Sequence, residues 1–251
     1  MEFAAQAAQA YAGLIASPYA DPESGLGGRL FCAGELDGAC RACVVAANIA
    51  GAATFCATAD RAAQKQALRD GVADFLVNSL DEALRILKNQ LRKREPVALC
   101  VALEPAAMER EMHERGVAPD LFRRDLPLNT LHQAFLCQEG EYDETDLRGI
   151  PAIVVWRVDS GSPLELAKLD EIALQCLDTE EWASRRWLQL SPRYLGRLAQ
   201  GLHVLSTHRE FDARFAEQLR VIAVRELTFG FEVRSYVRGL EGRQTFAPAK
   251  H

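Results

Sequence analysis

Ten residues, Gly34 to Cys43, hold two carboxylates (Glu35, Asp37), two glycines (Gly34, Gly38), two thiols (Cys40, Cys43) and the cation Arg41. They lie within FCAGELDGACRACVVAANIAG, residues 31–51, which reads as a short apolar strand, a turn and a small-residue helix. A turn of that kind presents helix N-terminal N–H groups to an anion, and glycines let a diphosphate approach them closely. Gly34 and Gly38 keep part of that seat, and the acids oppose it. A carboxylate about 4 Å from a phosphate costs about 1 kcal/mol in water and several times that in a half-dry crevice. Asp37 stands where an N-cap belongs, so its carboxylate takes up the N–H groups an anion would need. Arg41, in the first turn, offsets one negative charge or clasps a phosphate. Asp60 follows Gly38 by 22 residues, where either a ribose-binding acid or a simple helix N-cap belongs.

The remaining reactive side chains are less concentrated. Cys40 and Cys43 form a CxxC at a helix start, where thiol acidity rises. No second CxxC or nearby histidine completes a metal site, so no metal is expected, and the pair reads as small residues packing a helix on a sheet. His132 follows LPLNT and is the candidate general base, with an ordinary polar loop residue as the competing reading. Asn129, in the same segment, is a candidate cofactor contact. His113 belongs to a charged helix face, and His203 and His208 flank a helix end. Trp182, Trp187 and Tyr194 have helical spacing, which suits a core or an interface. Neither a Gly-x-Ser-x-Gly elbow nor a Walker lysine occurs.

The elements that position these residues follow a rhythm. An alanine-rich helical segment, Glu2 to Ser17, precedes the Pro/Asp/Gly loop SPYADPESGLGG. Short, nearly continuous apolar runs then alternate with helices. The strands are RLFCAG, AATFCAT, VADFLVN, PVALCVAL and a short VAPDLFR. The helices begin at N-caps such as Asp60 and Ser79, and one carries Pro105 in its first turn and ends at Gly116. Such alternation implies parallel strands with helices on both faces. The expected fold is therefore α/β: a Rossmann-like domain over residues 1–135 and a mostly helical extension with one or two strands over residues 136–251.

Bulk properties narrow the function classes. Net charge is −6, which disfavours a nucleic-acid binder. From Glu181 to His251 there are 12 Lys+Arg against 7 Asp+Glu, an excess of five positive charges, so the rest carries eleven net negative charges. With acids interspersed among those arginines, a neutralising face is expected, within the chain or in a homo-oligomer. No run of about 18 apolar residues is present, so no membrane association is expected. The seven cysteines sit mostly in apolar runs, as buried thiols of a cytoplasmic protein do.

Several blocks, in order, resemble the urocanase family, the NAD-dependent urocanate hydratases of histidine breakdown. GGRLFCAGELDGACRACVVAANIAG resembles the glycine-rich opening of the family's NAD-binding domain. ALRDGVADFLVNSLDEALRI, PVALCVALEPAAMEREMHERGVAPDLF and DLPLN resemble later blocks of it, up to His132. The resemblance implies a Rossmann-like NAD domain and lyase chemistry in which NAD+ acts as an electrophile toward the substrate ring. This chain departs from the pattern in three places. Most loop glycines are replaced, RRD (Arg123 to Asp125) stands for the family's DQTSAHD, and its reactive CRG segment does not occur. The expectation is a degenerate NAD crevice formed by Gly34, Gly38, Arg41, Asp60 and Asn129, with weak or absent NAD binding and no autonomous hydratase activity. The alternatives are a non-enzymatic interaction or regulatory protein that oligomerises through its C-terminal half, and an enzyme on a small imidazole or amide metabolite. The latter would use Arg41, Arg123, Arg124 and Asn129 as an anion pocket.

Overall fold

The computed structural model describes residues 2–126, 151–199, 201–223, 227–237 and 240–246. The chain divides into two compact units. One comprises Gln9–Leu128 with Arg193–Leu195, and the other Met1–Ala8, Asn129–Pro192 and Gly196–His251.

After helix α1 (Glu2–Ile15), the first unit alternates strands β1 (Leu30–Glu35), β2 (Ala53–Ala57), β3 (Phe75–Val77), β4 (Val97–Val101) and β5 (Leu121–Phe122) with helices α2 (Gly38–Ala50), α3 (Arg61–Arg69), α4 (Leu80–Lys93) and α5 (Pro105–Glu114). The sheet has the order β3-β4-β2-β1-β5 and is parallel throughout. Pleating sends alternate side chains to opposite faces. Cys32, Phe55, Val77 and Leu99 pack with Leu80, Ala83 and Leu87 of α4 and Met108 and Met112 of α5. Phe31, Thr54, Cys56 and Cys100, also buried, belong to the face that carries α2. A fully buried ring such as Phe55 contributes about 1.5–3 kcal/mol by leaving water. The Rossmann-like α/β expectation holds.

Local chemistry ends these elements where the sequence signals it. The Ser79 hydroxyl accepts the Glu82 N–H at 3.3 Å, and Glu82 reaches back to the Asn78 N–H at 3.0 Å. At the opposite edge, Asp120 accepts the Leu30 N–H at 2.8 Å and the Arg29 guanidinium at 3.2 Å, tying β5 to β1. The β1–β2 register shifts between Cys32 and Gly34, and Gly34 has φ +75°, a conformation open to glycine without strain. That bulge aims the end of β1 into the turn before α2.

The strand order fixes where a ligand crevice belongs. β2 lies on one side of β1, and the chain later crosses to place β5 on the other side. The reversal point is thus outside the carboxyl ends of β1 and β5.

The second unit holds helices, as expected, with four strands where one or two are expected. Its strands β6 (Pro151–Val158), β7 (Leu202–His208), β8 (Phe231–Val237) and β9 (Leu240–Phe246) form an antiparallel sheet of order β7-β6-β8-β9. Helices α6 (Pro163–Cys176), α7 (Trp182–Leu195) and α8 (Arg209–Ala223) accompany it. LHVLSTH, which reads as a helix end, is β7. Its apolar run fits either period, and antiparallel pairing with β6 decides it. Gly201 makes the break before β7, with φ +72° and an added Cβ falling 2.7 Å from Gly161 Cα. Gly201→Ala is expected to destabilise this unit by about 1–3 kcal/mol. Urea unfolding followed by tryptophan fluorescence measures it cleanly, because Trp156, Trp182 and Trp187 all lie in this unit; an unchanged midpoint would refute the close-approach argument.

Candidate functional site

At the reversal point, β1 ends in Glu35, and Asp37 caps α2 by accepting the Cys40 N–H at 2.6 Å. Across from it, β5 runs into a 3-10 turn, Arg123–Asp125. The Arg123 guanidinium grips Asp37 with both arms, Nη1 to Oδ1 at 2.9 Å and Nη2 to Oδ2 at 2.8 Å, and Nη1 also donates to the Glu35 carbonyl at 3.3 Å. Paired forks of this kind are the stronger and more directional form of ion pair. One carboxylate therefore engages both the helix N-terminus and the cation across the switch point. A Cβ added to Gly34 or Gly38 would meet nothing within 4 Å, so the space beside the turn is open while Asp37 and Arg123 neutralise each other.

Asp37 titrates accordingly. Partial burial pushes its carboxyl up, but the Arg123 fork and the Cys40 and Ala39 N–H groups outweigh this and hold it below its ordinary 3.8. A carboxyl depressed by folding stabilises the folded state above its unfolded pKa and loses that contribution as pH falls through the folded value. The stability gap between wild type and Asp37→Asn is therefore expected to be constant from about pH 6 to 8 and to close below about pH 4. Urea unfolding followed by circular dichroism reads it, and a gap that persists undiminished at low pH would contradict this electrostatic account.

The other candidates are placed as follows. Arg41 forms an ion pair with Asp70, which follows α3. Asp60 caps α3, accepting the Ala62 N–H at 2.8 Å, while its own N–H donates to Thr58 Oγ1 at 3.2 Å. Arg124 lies over the Phe122 ring, 4.4 Å from its centroid. Gly34, Gly38 and Asp37 thus share the turn with Arg123, whereas Arg41 and Asp60 are engaged elsewhere. Asn129 and His132 lie outside the described residues. His113 is exposed on α5. His208 accepts the Phe211 N–H at the start of α8 and meets Glu181 at 2.7 Å.

The thiols are packed in. Cys40 and Cys43 are buried, and burial pushes the Cys43 thiol up to about 12, which suppresses the nucleophilic thiolate. Among the described residues, no group of three or more His, Cys, Asp or Glu is arranged to hold a metal ion. No helix there is long and apolar enough to cross a membrane.

Two arrangements have no local sequence signal. Arg123 and Asp37 are 86 residues apart, and only β5 returning beside β1 joins them. In the second unit, buried Asp170 Oδ1 accepts the Trp156 indole N–H at 2.8 Å and meets His203 Nδ1 at 2.7 Å. The helical pattern around Asp170 and the apolar run around His203 give no hint of that pairing.

A parallel sheet with helices on both faces, and a strand–turn–capped-helix unit at the reversal of strand order, defines a Rossmann-like domain. Residues 11–146, more than half of the 251, match the urocanase Rossmann-like domain. The chain belongs to the urocanase family. In that family this domain is the NAD-binding one.

Proposed function

We propose that this chain is a urocanase-family protein whose dinucleotide crevice has become degenerate, so that it binds NAD weakly or not at all and is not a urocanate hydratase on its own. The observation that carries this is the Asp37–Arg123 pair at the switch point. A diphosphate needs the α2 N–H groups and a nearby cation, and Asp37 already holds both. The replacement of the family's DQTSAHD by RRD supports the same reading. The pocket for a small imidazole or amide metabolite draws less support, since Arg41, Arg123 and Arg124 are each engaged by Asp70, Asp37 and Phe122. Six described cysteines are buried free thiols, which suits a reducing cytoplasm.

The experiment is a melting curve with and without millimolar NAD, since a ligand that binds the native state stabilises it by mass action. At most a small shift is expected for the wild type. A clear upward shift, or loss of urocanate absorbance with this chain alone, overturns the reading. With NAD excluded, the remaining reading is an interaction protein that oligomerises through its C-terminal half, which light scattering across concentrations would detect.

A further inference from the structure

A cavity of about 460 Å3 opens at the carboxyl ends of β2, β3 and β4, on the side of β1 away from the switch point. That volume is within the range of small-molecule sites, roughly 300–1,000 Å3. Its walls come from every element that ends there. Ala59 follows β2, Leu76 lies in β3 and Asn78 just after it, Ala102 follows β4, and α3 supplies Arg61, Gln64 and Lys65. Positions i, i+3 and i+4 share one face of a helix, so α3 turns two cations and an amide toward the same space. No carboxylate lines it.

Those cations are unspent. Among the described residues, neither the Arg61 nor the Lys65 side chain makes a hydrogen bond or ion pair, and the Asn78 side-chain amide has no partner. The nearby acids are committed to backbone: Asp60 to the Ala62 N–H and Glu82 to the Asn78 N–H. The platform is also fixed. Gln64, 5% exposed, donates its amide to the Thr58 carbonyl at 2.7 Å, pinning the first turns of α3 to the end of β2. Two positive charges held on a rigid helix, beside a polar amide and a small apolar wall, suit a dianionic head on a compact polar body.

We infer that this cavity binds a small phosphate monoester. The phosphate is held between Arg61 and Lys65, the hydroxylated body meets the Asn78 amide, and carbon atoms rest on Ala59, Leu76 and Ala102. The site uses no residue of the Asp37–Arg123 turn, and it gives the chain a ligand function that survives loss of the dinucleotide seat.

The test titrates ribose 5-phosphate and inorganic phosphate into the 15N-labelled chain at constant ionic strength, with ribose as the neutral control. Saturable shifts are expected at the Lys65, Asn78 and Ala102 amides with both anions, stronger with the ester, and none with ribose. Arg61→Gln combined with Lys65→Gln should weaken binding at least about 10-fold; both side chains are exposed, and circular dichroism checks the fold. Arg123→Ala and the exposed Lys88→Gln should leave affinity unchanged. No saturable shift with either anion overturns the inference, as does wild-type affinity in the double variant. Loss of binding in Arg123→Ala would move the site to the switch point and overturn it equally.

Discussion

Asp37→Gly is expected to raise NAD affinity by about 10- to 100-fold, the scale of gaining charge-assisted hydrogen bonds. The substitution acts on the seat in three ways at once. It frees the Cys40 N–H, to which Asp37 Oδ1 is bound at 2.6 Å. It removes a carboxylate from the place where phosphate oxygens would lie. It also releases Arg123 from a bidentate pair, leaving a cation beside the helix N-terminus. The structural cost is small, since glycine replaces an acidic N-cap at a loss of only a few tenths of a kcal/mol, and the pair itself is partly exposed, at 26% and 46%, where such pairs contribute about 1 kcal/mol or less. Each variant is compared with itself, with and without NAD. At a ligand concentration ten times Kd the native state gains about 1.4 kcal/mol, a readily seen shift. Adding Arg123→Ala to Asp37→Gly should abolish the gain, because the capturing cation is gone. If Asp37→Gly melts identically with and without millimolar NAD, the internal acid is not what keeps the dinucleotide out.

The largest expected effect on stability lies in the second unit. Asp170→Ala should cost about 3–5 kcal/mol. Asp170 and His203 are 6% and 1% exposed, and Trp156 is fully buried. Removing the carboxylate strands the Trp156 indole N–H and His203 Nδ1 in a site without water access, and opens a void among rings, with Phe215 centred 5.2 Å from Trp156. His203 Nε2 already has no partner, so the imidazole has no second anchor. Asp170→Asn keeps an oxygen at that position and should cost markedly less. Urea unfolding monitored by Trp156 fluorescence separates the two, and equal losses would show that packing, not the hydrogen-bonded network, holds this core.

The first unit was legible because its signals are local. RLFCAG, AATFCAT and PVALCVAL are short apolar runs, and Asp60 and Ser79 cap by accepting backbone N–H groups within three residues of themselves. Asp37 was legible as a cap for the same reason. Its partner was not, since pairing with Arg123 depends on strand order. Arg41 illustrates the converse: adjacency in sequence suggested a phosphate clasp, while the turn after α3 carried Asp70 to it. In the second unit, β7 was hidden because His203, Val204 and Leu205 alternate no more clearly than they follow a helical period. Only hydrogen bonding to β6 settles it.

The two sheets differ in how they end. The parallel one is flanked by β3 and β5, of three and two residues, too short to template an added strand from another polypeptide. The antiparallel one is flanked by β7 and β9, of seven residues each. One β7 carbonyl, at Val204, is already taken by the Trp187 indole, and among the described residues β9 has no outer neighbour. Of the four sheet margins among the described residues, β9 is the one whose length and open backbone would accept an added strand from another polypeptide.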